Sequence, residues 1–132
     1  MELYEAINKR RTIRVFTKPA SEEALRKIIV AGTRAISAGN CQPWEFIIVD
    51  DPKIIEQIAE HKYQMNLAFS AEPEALQQKE AYFKSSVVAV CHKEGQGQLI
   101  SAWMCIQNMA LAATAEGLGT ICLLYTSDAA DE

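Results

Sequence analysis

The chain has 132 residues, of which 49% are hydrophobic and 23% are charged, with a formal net charge of −4. This composition is typical of a globular protein with one domain, and no stretch is apolar over the roughly 20 residues that a membrane-spanning helix requires. The acidic balance argues against a nucleic-acid-binding protein. Met1 is followed by a charged segment rather than the apolar region of a signal peptide, so we expect a soluble, cytoplasmic protein.

The four cysteines lie far apart in the sequence and form no C-x-x-C pair. Together with two separated histidines they make no recognisable zinc set, so no metal site is predicted. Reduced and mostly buried thiols are the expectation for such cysteines. The residues concerned are Cys41, Cys91, Cys105, Cys122, His61 and His92.

The first third of the chain predicts two helices joined by a connector. Residues 2–10 place apolar side chains on one face and end on basic residues, as a short helix does. Residues 11–16 form a connector with β-branched residues, and Pro19 then breaks the chain. A second helix begins after Ser21, a suitable N-cap, and its apolar positions continue through Ile36, close to its expected end.

The rest of the chain alternates two short apolar strands with helices, without repeats or linkers. Such alternation predicts an α+β or α/β sandwich with helices on the faces of the sheet. Because only two strands and the start of a third are visible, the sheet is too small to be complete. The predicted elements are strands 45–50 and 86–91, helices 51–65 and 74–84, a loop at 95–97, and a long helix over 99–116.

The last eleven residues, Cys122 to Glu132, read CLLYTSDAADE and match a translation of the transposon-end adapter used in tagmentation sequencing. The alternative is a natural strand over 121–125 followed by an acidic tail. A match of this length in the right frame favours the adapter, so we expect a native domain over 1–121 that continued beyond Ile121, and a non-native segment over 122–132. Removing the three acids of that segment from the 17 in the chain leaves 14 acidic and 13 basic residues.

Five of the 13 basic residues lie within ten positions, from Lys9 to Lys18. A cationic cap on the first helix would explain Lys9 and Arg10, but it explains Arg14 poorly because charges this dense repel one another. A bound phosphate explains Arg14 better, since its oxygens accept paired hydrogen bonds from guanidinium groups and another from a hydroxyl such as that of Thr12. Both interpretations stay open on these residues alone.

The segment from Ser37 to Trp44, SAGNCQPW, places amides beside a large aromatic ring. Pro43 is expected to hold Gln42 extended, so that nearby side chains keep fixed directions. Asn40 and Gln42 would then offer donors and acceptors suited to the imide edge of a planar heterocycle. A plain loop that leads into a strand, with Trp44 in the core, is an equally good interpretation of this segment by itself.

The long helix carries apolar residues at helical spacing together with several alanines. This pattern is typical of core or subunit packing, which we take as its role, and the alanines permit close approach of another helix. Gly117 and Gly119 are interpreted as a helix cap and a turn, because a lone G-x-G is weak evidence for a nucleotide loop. The spaced positions are Ile100, Trp103, Met104, Gln107, Leu111 and Thr114.

Three segments together resemble the nitroreductase family of FMN-dependent enzymes: RRTIR at 10–14, SAGNCQPWEFIIV at 37–49, and IQNMALAATAEGLGT at 106–120. The first is short and unspecific, the second is moderately specific, and the set in this order and spacing is highly specific. The resemblance covers essentially all of 1–121. It implies an α+β sandwich with a central, mostly antiparallel sheet flanked by helices, incomplete here at its C-terminal end. It also implies an intertwined homodimer with FMN in each of two interface sites.

The resemblance also implies cofactor-binding roles. Arg10 and Thr12 would hold the FMN phosphate, Arg11 would add a contact, and Arg14 would lie near the pyrimidine edge of the flavin. A cation there stabilises the negative charge that reduction places on N1 and C2=O, and so raises the reduction potential. The residues that would reach the flavin bound mainly by the other subunit are Ser37, Ala38, Asn40 and Gln42.

Four positions depart from the family's usual pattern. Thr12 stands where Ser is common, which is conservative. Ile36 replaces a usual Pro and Ala38 a usual Ser, so we expect the loop beneath the ring to sit differently. Ser101 occupies a position often held by Asp. The family's later segment facing flavin N5, a further basic residue for the phosphate and the C-terminal dimer arm would all lie beyond Ile121.

The implied reaction has two steps, in a ping-pong order. NAD(P)H delivers hydride to flavin N5 and leaves, and a nitroaromatic, quinone or related acceptor is then reduced in the same pocket. No residue is assigned as catalytic, because none is needed as a nucleophile or essential acid. The alternatives are reductive dehalogenation or flavin breakdown, for which a lid could lie within 62–81, and a flavin-binding protein without turnover. We expect the 132-residue chain itself to be inactive.

Overall fold

The computed structural model describes residues 1–123. The predicted adapter-derived segment, 122–132, lies outside the described residues except for Cys122 and Leu123. Among the described helices, none is both long and apolar enough to cross a membrane. The elements are α1 (Leu3–Lys9), α2 (Glu22–Thr33), a 3-10 turn (Ala38–Asn40), β1 (Trp44–Val49), α3 (Pro52–Leu67), α4 (Glu72–Phe83), β2 (Val87–His92) and α5 (Gln96–Ala115).

The two strands form an antiparallel pair whose register runs from Trp44 opposite His92 to Val49 opposite Val87. Both are rich in β-branched residues, which pack well on a pleated, half-buried surface. Because side chains alternate along a strand, one face of the pair carries the residues that meet the core. Those residues are Trp44, Phe46, Val88 and Val90. The predicted α+β class with antiparallel strands is confirmed.

The core lies where α2, the sheet and α5 meet, with α5 in contact with both of the others. Gly32 of α2 lets the two helices approach closely: a Cβ at that position would lie 2.7 Å from Met109 Cγ and 2.9 Å from Cys105 Sγ. Asn108 Nδ2 donates a hydrogen bond to the Ala31 carbonyl oxygen at 3.1 Å, which also joins α5 to α2. The buried cluster consists of Ile28, Trp44, Cys105, Met109 and Ala113.

α3 and α4 form a helical hairpin that contributes no residue to the core cluster of the described chain. The hairpin has its own small contact, in which the fully buried Ala59 and Ala75 let the helices lie close together. Across the same pair of helices the Lys79 ammonium pairs with the Glu60 carboxylate. Its hydrogen bond lowers the pKa of Glu60 and raises that of Lys79.

Two predicted helix boundaries are wrong. α2 ends at Thr33 because the N–H groups of Arg34 and Ala35 turn back to the carbonyls of Ala31 and Gly32. Ile36 therefore lies outside the helix and is 75% exposed. At 95–97 the loop is shorter than predicted, because α5 already begins at Gln96, directly after a positive-φ glycine.

The expectation of mostly buried thiols is also wrong. Among the described residues only Cys105 is buried, whereas Cys41, Cys91 and Cys122 are exposed. Burial raises the pKa of the Cys105 thiol to about 11. Cys105 is thus a core side chain that stays protonated at neutral pH.

Candidate functional site

The cationic segment, residues 10–14, follows the C-terminal end of α1. Arg11 Nη1 donates hydrogen bonds to the carbonyl oxygens of Asn8 and Arg10, both at 2.7 Å, and so caps the helix. Arg10 and Arg14 pair with no carboxylate of the described chain. One arginine of the cluster thus serves the helix end, and two guanidinium groups have no anionic partner within residues 1–123.

The cationic segment is fixed against the chain that follows α5. Thr12 and Thr120 form a parallel β-bridge, and Ile13 N–H donates to the Thr120 carbonyl at 2.9 Å. Gly119 permits this approach, because a Cβ there would lie 2.6 Å from Ile13 Cγ1. Gly117, with φ 77°, ends the helix as predicted. Residues 119–120 of the third sequence motif therefore hold the backbone of the first motif, residues 10–14, in place.

The amide segment, residues 37–42, is a tight turn with a left-handed backbone. Gly39, Asn40 and Gln42 have φ values of 57°, 53° and 45°. The expectation that Pro43 holds Gln42 extended is wrong, because Gln42 N–H instead closes the turn by donating to Ser37 Oγ at 3.1 Å. A left-handed conformation costs about 1–2 kcal/mol for a residue with a side chain, so the turn needs support from outside.

The amide side chains of this turn are exposed, as is Ala38. Gln42 Nε2 lies 3.3 Å from Asn40 Oδ1, so the two amides contact each other. Ala38 N–H donates to Ser101 Oγ of α5 at 3.2 Å. Trp44, which follows the turn, is buried in the core as the plain-loop interpretation expected. The turn therefore presents amide donors and acceptors at the surface while its end is held in the core.

The structure does not bring the two segments together within one chain. The amide segment is bonded to the second turn of α5 at Ser101, and the cationic segment is bonded to Thr120, beyond the other end of that helix. α5 has 20 residues, which corresponds to about 30 Å. In the described part of the chain no hydrogen bond or ion pair joins the two segments.

Two surface depressions of the described chain lie outside both segments, although the first borders the amide segment at Pro43. One, of about 110 Å³, lies at the end of the strand pair, and a second lies on the outer face of α3. Neither is lined by a residue predicted to bind the cofactor. A cofactor-sized pocket is usually 300–1,000 Å³ and encloses most of its ligand. The candidate residues themselves are exposed or half-buried in the single chain.

α5 has a buried face and an exposed apolar face. Its core face includes Cys105 and Met109, whereas Ile100, Trp103 and Met104 are exposed, with Trp103 at 39%. For these three residues the exposed face favours subunit packing over the core alternative. Apolar residues of this size seldom line an open surface without a partner.

Two polar residues of α5 hold the surroundings of the site together, and the sequence assigned neither a role. Asn108 bonds to α2 as described above, and Ser101, 3% exposed, bonds to the amide segment. The signal that could have revealed them is a polar residue on the face of α5 that also carries Ala102, Cys105 and Met109. Buried polar groups are nearly always hydrogen-bonded, so such a residue predicts a specific partner.

The nitroreductase family model matches residues 7–130. The chain belongs to the nitroreductase family. The matched range extends over most of the predicted adapter-derived segment, so the origin of that segment stays a prediction.

Individual relatives agree with this membership. The chain is 29% identical to an iodotyrosine deiodinase of Thermotoga neapolitana over 90% of its own length and 72% of the relative's. A nitroreductase family protein of Clostridium novyi has a similar structure, with a TM-score of 0.70 at 29% identity, covering 90% of this chain and 67% of that one. A nitroreductase of Bacteroides fragilis with bound FMN shares the fold, with a TM-score of 0.67 at 24% identity, over 89% and 66% of the two chains.

The chain spans only part of many relatives. Matches to other curated relatives cover between 22% and 34% of the relative's length. Among solved structures the covered share is 58% for an FMN-dependent nitroreductase of Clostridium difficile. The fold prediction, an α+β nitroreductase-like sandwich, is confirmed by these structures.

Proposed function

We propose that the protein is an FMN-dependent oxidoreductase that uses NAD(P)H to reduce nitroaromatic, quinone or related acceptors. The observation that carries the proposal is the pair of guanidinium groups of Arg10 and Arg14, which have no carboxylate partner in the described chain and flank the fixed backbone of Thr12. Planar guanidinium groups and a hydroxyl are well suited to phosphate oxygens. Membership in the nitroreductase family supports FMN as the source of that phosphate.

The cationic segment follows the C-terminal end of α1, so a phosphate bound there needs the positive charge of guanidinium groups. The C-terminal end of a helix carries a partial negative charge, which disfavours an anion. Arg11 offsets that charge by donating to the last carbonyls of α1. Arg10 and Arg14 can then bind a phosphate without competing with the helix end, and Thr12 can donate its hydroxyl hydrogen to a phosphate oxygen.

A bound FMN would supply the hydride and electron transfer between NAD(P)H and the acceptor. The protein binds and orients the ring and places charge around it. Arg14 would lie beside the pyrimidine edge and stabilise the negative charge that reduction produces there. Ser37, Ala38, Asn40 and Gln42 would supply polar contacts to the same ring. No residue is proposed as a nucleophile or an essential acid.

The proposed assembly is a homodimer with two sites at its interface. The cationic segment and the amide segment lie at opposite ends of α5, so the amide segment would reach a flavin whose phosphate is held by the other copy. The exposed apolar face of α5, formed by Ile100, Trp103 and Met104, would pack against the second copy. We propose a cytoplasmic location for this dimer.

We also propose that residues 1–121 are native and that 122–132 derive from the adapter. The 132-residue chain would then be inactive, because the resemblance implies that segments beyond Ile121 contact the flavin and the second subunit. The protein to test is therefore the one encoded by the uninterrupted reading frame, called the full-length protein, in which residues 1–121 keep their numbers.

Flavin binding by the Arg14→Ala variant of the full-length protein tests the proposal. A charge-assisted hydrogen bond contributes about 1.5–3 kcal/mol, so the Kd for FMN should rise about 10- to 150-fold, and NADH-driven flavin reduction should slow. The matched control is Arg26→Ala, which removes the same charge from an exposed pair with Glu22 on α2. Its Kd should equal that of the parent protein.

The proposal fails if the full-length protein is colourless and takes up no added FMN. Unchanged flavin retention and unchanged kinetics in Arg14→Ala would refute the role of that residue. A protein that binds FMN but oxidises no NAD(P)H in air, with or without an acceptor, would be a flavin-binding protein without turnover.

Reductive dehalogenation is the second candidate, favoured by the 29% identity to the Thermotoga neapolitana iodotyrosine deiodinase over 90% of the chain. The two activities differ in their product. Release of iodide from an iodinated phenol by the reduced protein would favour dehalogenation, whereas consumption of NAD(P)H with a nitroaromatic or quinone, without halide release, would favour the first proposal.

A further inference from the structure

Ser101 is the one buried polar residue of the described chain, and it uses both its donor and its acceptor. Its hydroxyl donates to the Gly97 carbonyl oxygen one turn earlier, at 2.9 Å. It accepts a hydrogen bond from Ala38 N–H at 3.2 Å. Because the hydroxyl hydrogen is directed to Gly97, the oxygen lone pairs face the amide segment. The first turns of α5 thus fix the direction in which Ser101 accepts.

The hydrogen bond to Ser101 sets the position of the amide segment. The other hydrogen bonds of residues 37–42 in the described chain run within the segment itself, as those of Ser37 with Asn40 and Gln42 show. The segment also contains left-handed residues that a relaxed loop would avoid. Internal hydrogen bonds preserve the shape of such a turn. The buried Trp44 holds its C-terminal end, and the bond from Ala38 to Ser101 fixes its first half against α5.

We propose that Ser101 is a positioning residue: it holds the amide segment of one subunit in place against the ring of the flavin whose phosphate is bound by the other subunit. This inference rests on the proposed function, and it adds a residue to which that function assigns no role. Ser101 does not touch the flavin. It acts through Ala38 on Asn40 and Gln42, whose exposed amides would meet the ring.

The test compares side chains of equal shape with and without the hydroxyl. Ser101→Thr keeps the hydroxyl, Ser101→Val replaces it by a methyl group, and Ser101→Ala removes it without adding atoms. The control is Thr114→Val, because the Thr114 hydroxyl also donates to a carbonyl one turn earlier in α5, at 3.0 Å, but has no bond to the amide segment. Each variant is made in the full-length protein.

The test measures the Kd for two ligands, FMN and riboflavin, and the rate of deuterium uptake by the apo protein. Losing one neutral hydrogen bond corresponds to about a two- to tenfold change in an equilibrium constant. The Kd for FMN and the Kd for riboflavin should therefore rise by the same factor in the Val and Ala variants, since riboflavin lacks only the phosphate. Thr should restore both values. Deuterium uptake by the peptide over 35–43 in the apo protein should be faster in Val and Ala than in Thr or the control.

Each other outcome overturns the proposal. Equal Kd values and equal deuterium uptake in the Thr and Val variants would show that the hydroxyl does not position the segment. A change confined to FMN would place the effect at the phosphate end. If the parent protein binds neither flavin, the proposed function fails, while deuterium uptake still reports whether Ser101 holds the segment.

Discussion

Gly32 is the position at which the packing of α2 on α5 can be tested most directly. A Cβ at Gly32 would lie 2.7 Å from Met109 Cγ, 2.9 Å from Cys105 Sγ and 3.1 Å from Met109 Sδ. These distances are well below ordinary van der Waals contact, so Gly32→Ala must displace α5 or shift side chains that are themselves buried. Residues 34–36 connect the end of α2 to the amide segment.

Two opposing effects set the change in the free energy of unfolding that Gly32→Ala produces. Alanine stabilises a helix interior by about 1 kcal/mol relative to glycine, whereas an extra methyl group in a packed core costs about 1–3 kcal/mol. Overpacking should win, and the free energy of unfolding should fall by about 1 kcal/mol. For a domain of this size that corresponds to a decrease in Tm of about 3–6 °C.

Gly97→Ala is the matched control, because Gly97 is also helical but has space around it. A Cβ there would meet only the Ala38 Cβ, at 4.0 Å. This variant should gain part of the helix-propensity effect and raise the free energy of unfolding by up to about 1 kcal/mol. Urea unfolding of both variants and the parent, followed by circular dichroism, gives the comparison.

A double-mutant cycle identifies the cause of the Gly32 effect. In the Gly32→Ala background, Met109→Ala should destabilise less than in the parent, because it removes two of the three close atoms; a coupling of about 0.5–3 kcal/mol is expected. If Gly32→Ala stabilises the protein as much as Gly97→Ala does, the helices have room to spare and the reasoning is refuted.

Two further predictions concern the hairpin and the dimer. The ion pair with Lys79 holds the pKa of Glu60 below its ordinary value of 4.5. The stabilisation from this pair is therefore present above pH 4.5 and is lost as the pH falls through the folded-state pKa. The Lys79→Met variant should unfold at a lower urea concentration than the parent at pH 7, and this difference in urea midpoint should shrink towards pH 3. A gap that persists at pH 3 would contradict this. In light-scattering measurements Trp103→Glu should convert the proposed dimer to monomer, whereas Phe69→Glu, at an 89% exposed site on the hairpin, should not. A dimer that survives Trp103→Glu would exclude α5 as the contact.

Sequence patterns were sufficient for the local structure where periodicity and capping agree. Ser21 caps α2 by accepting from Ala24 N–H at 3.1 Å, and Asp51 caps α3 in the same way at Lys53. The patterns failed at Gln42, because a local rule about the residue before proline was outweighed by closure of the turn on Ser37. They also failed for Ile36, since nothing in its apolar character reveals that α2 has already ended.

The candidate site also has features that the sequence predicted and features that only the structure shows. The sequence and the family resemblance predicted individual roles for the arginines and the amides, but they did not predict that Arg11 would be the arginine that caps α1. Only the structure shows that Arg11 binds carbonyls at the end of α1 while Arg10 and Arg14 have no carboxylate partner in residues 1–123. The sequence gives the chemical groups of each side chain, whereas the groups that it can contact depend on the tertiary structure.

By itself the sequence determined the family and the α+β class, because these follow from local patterns and from three motifs in a fixed order; the residues of the site are a proposal. The tertiary structure decided which face of α5 is buried, where the amide segment is anchored, and that the cationic and amide segments lie at opposite ends of one helix. Those facts depend on contacts between residues far apart in the chain, such as Ala38 with Ser101 and Thr12 with Thr120. No local pattern encodes such distances, since they arise only when the elements pack together.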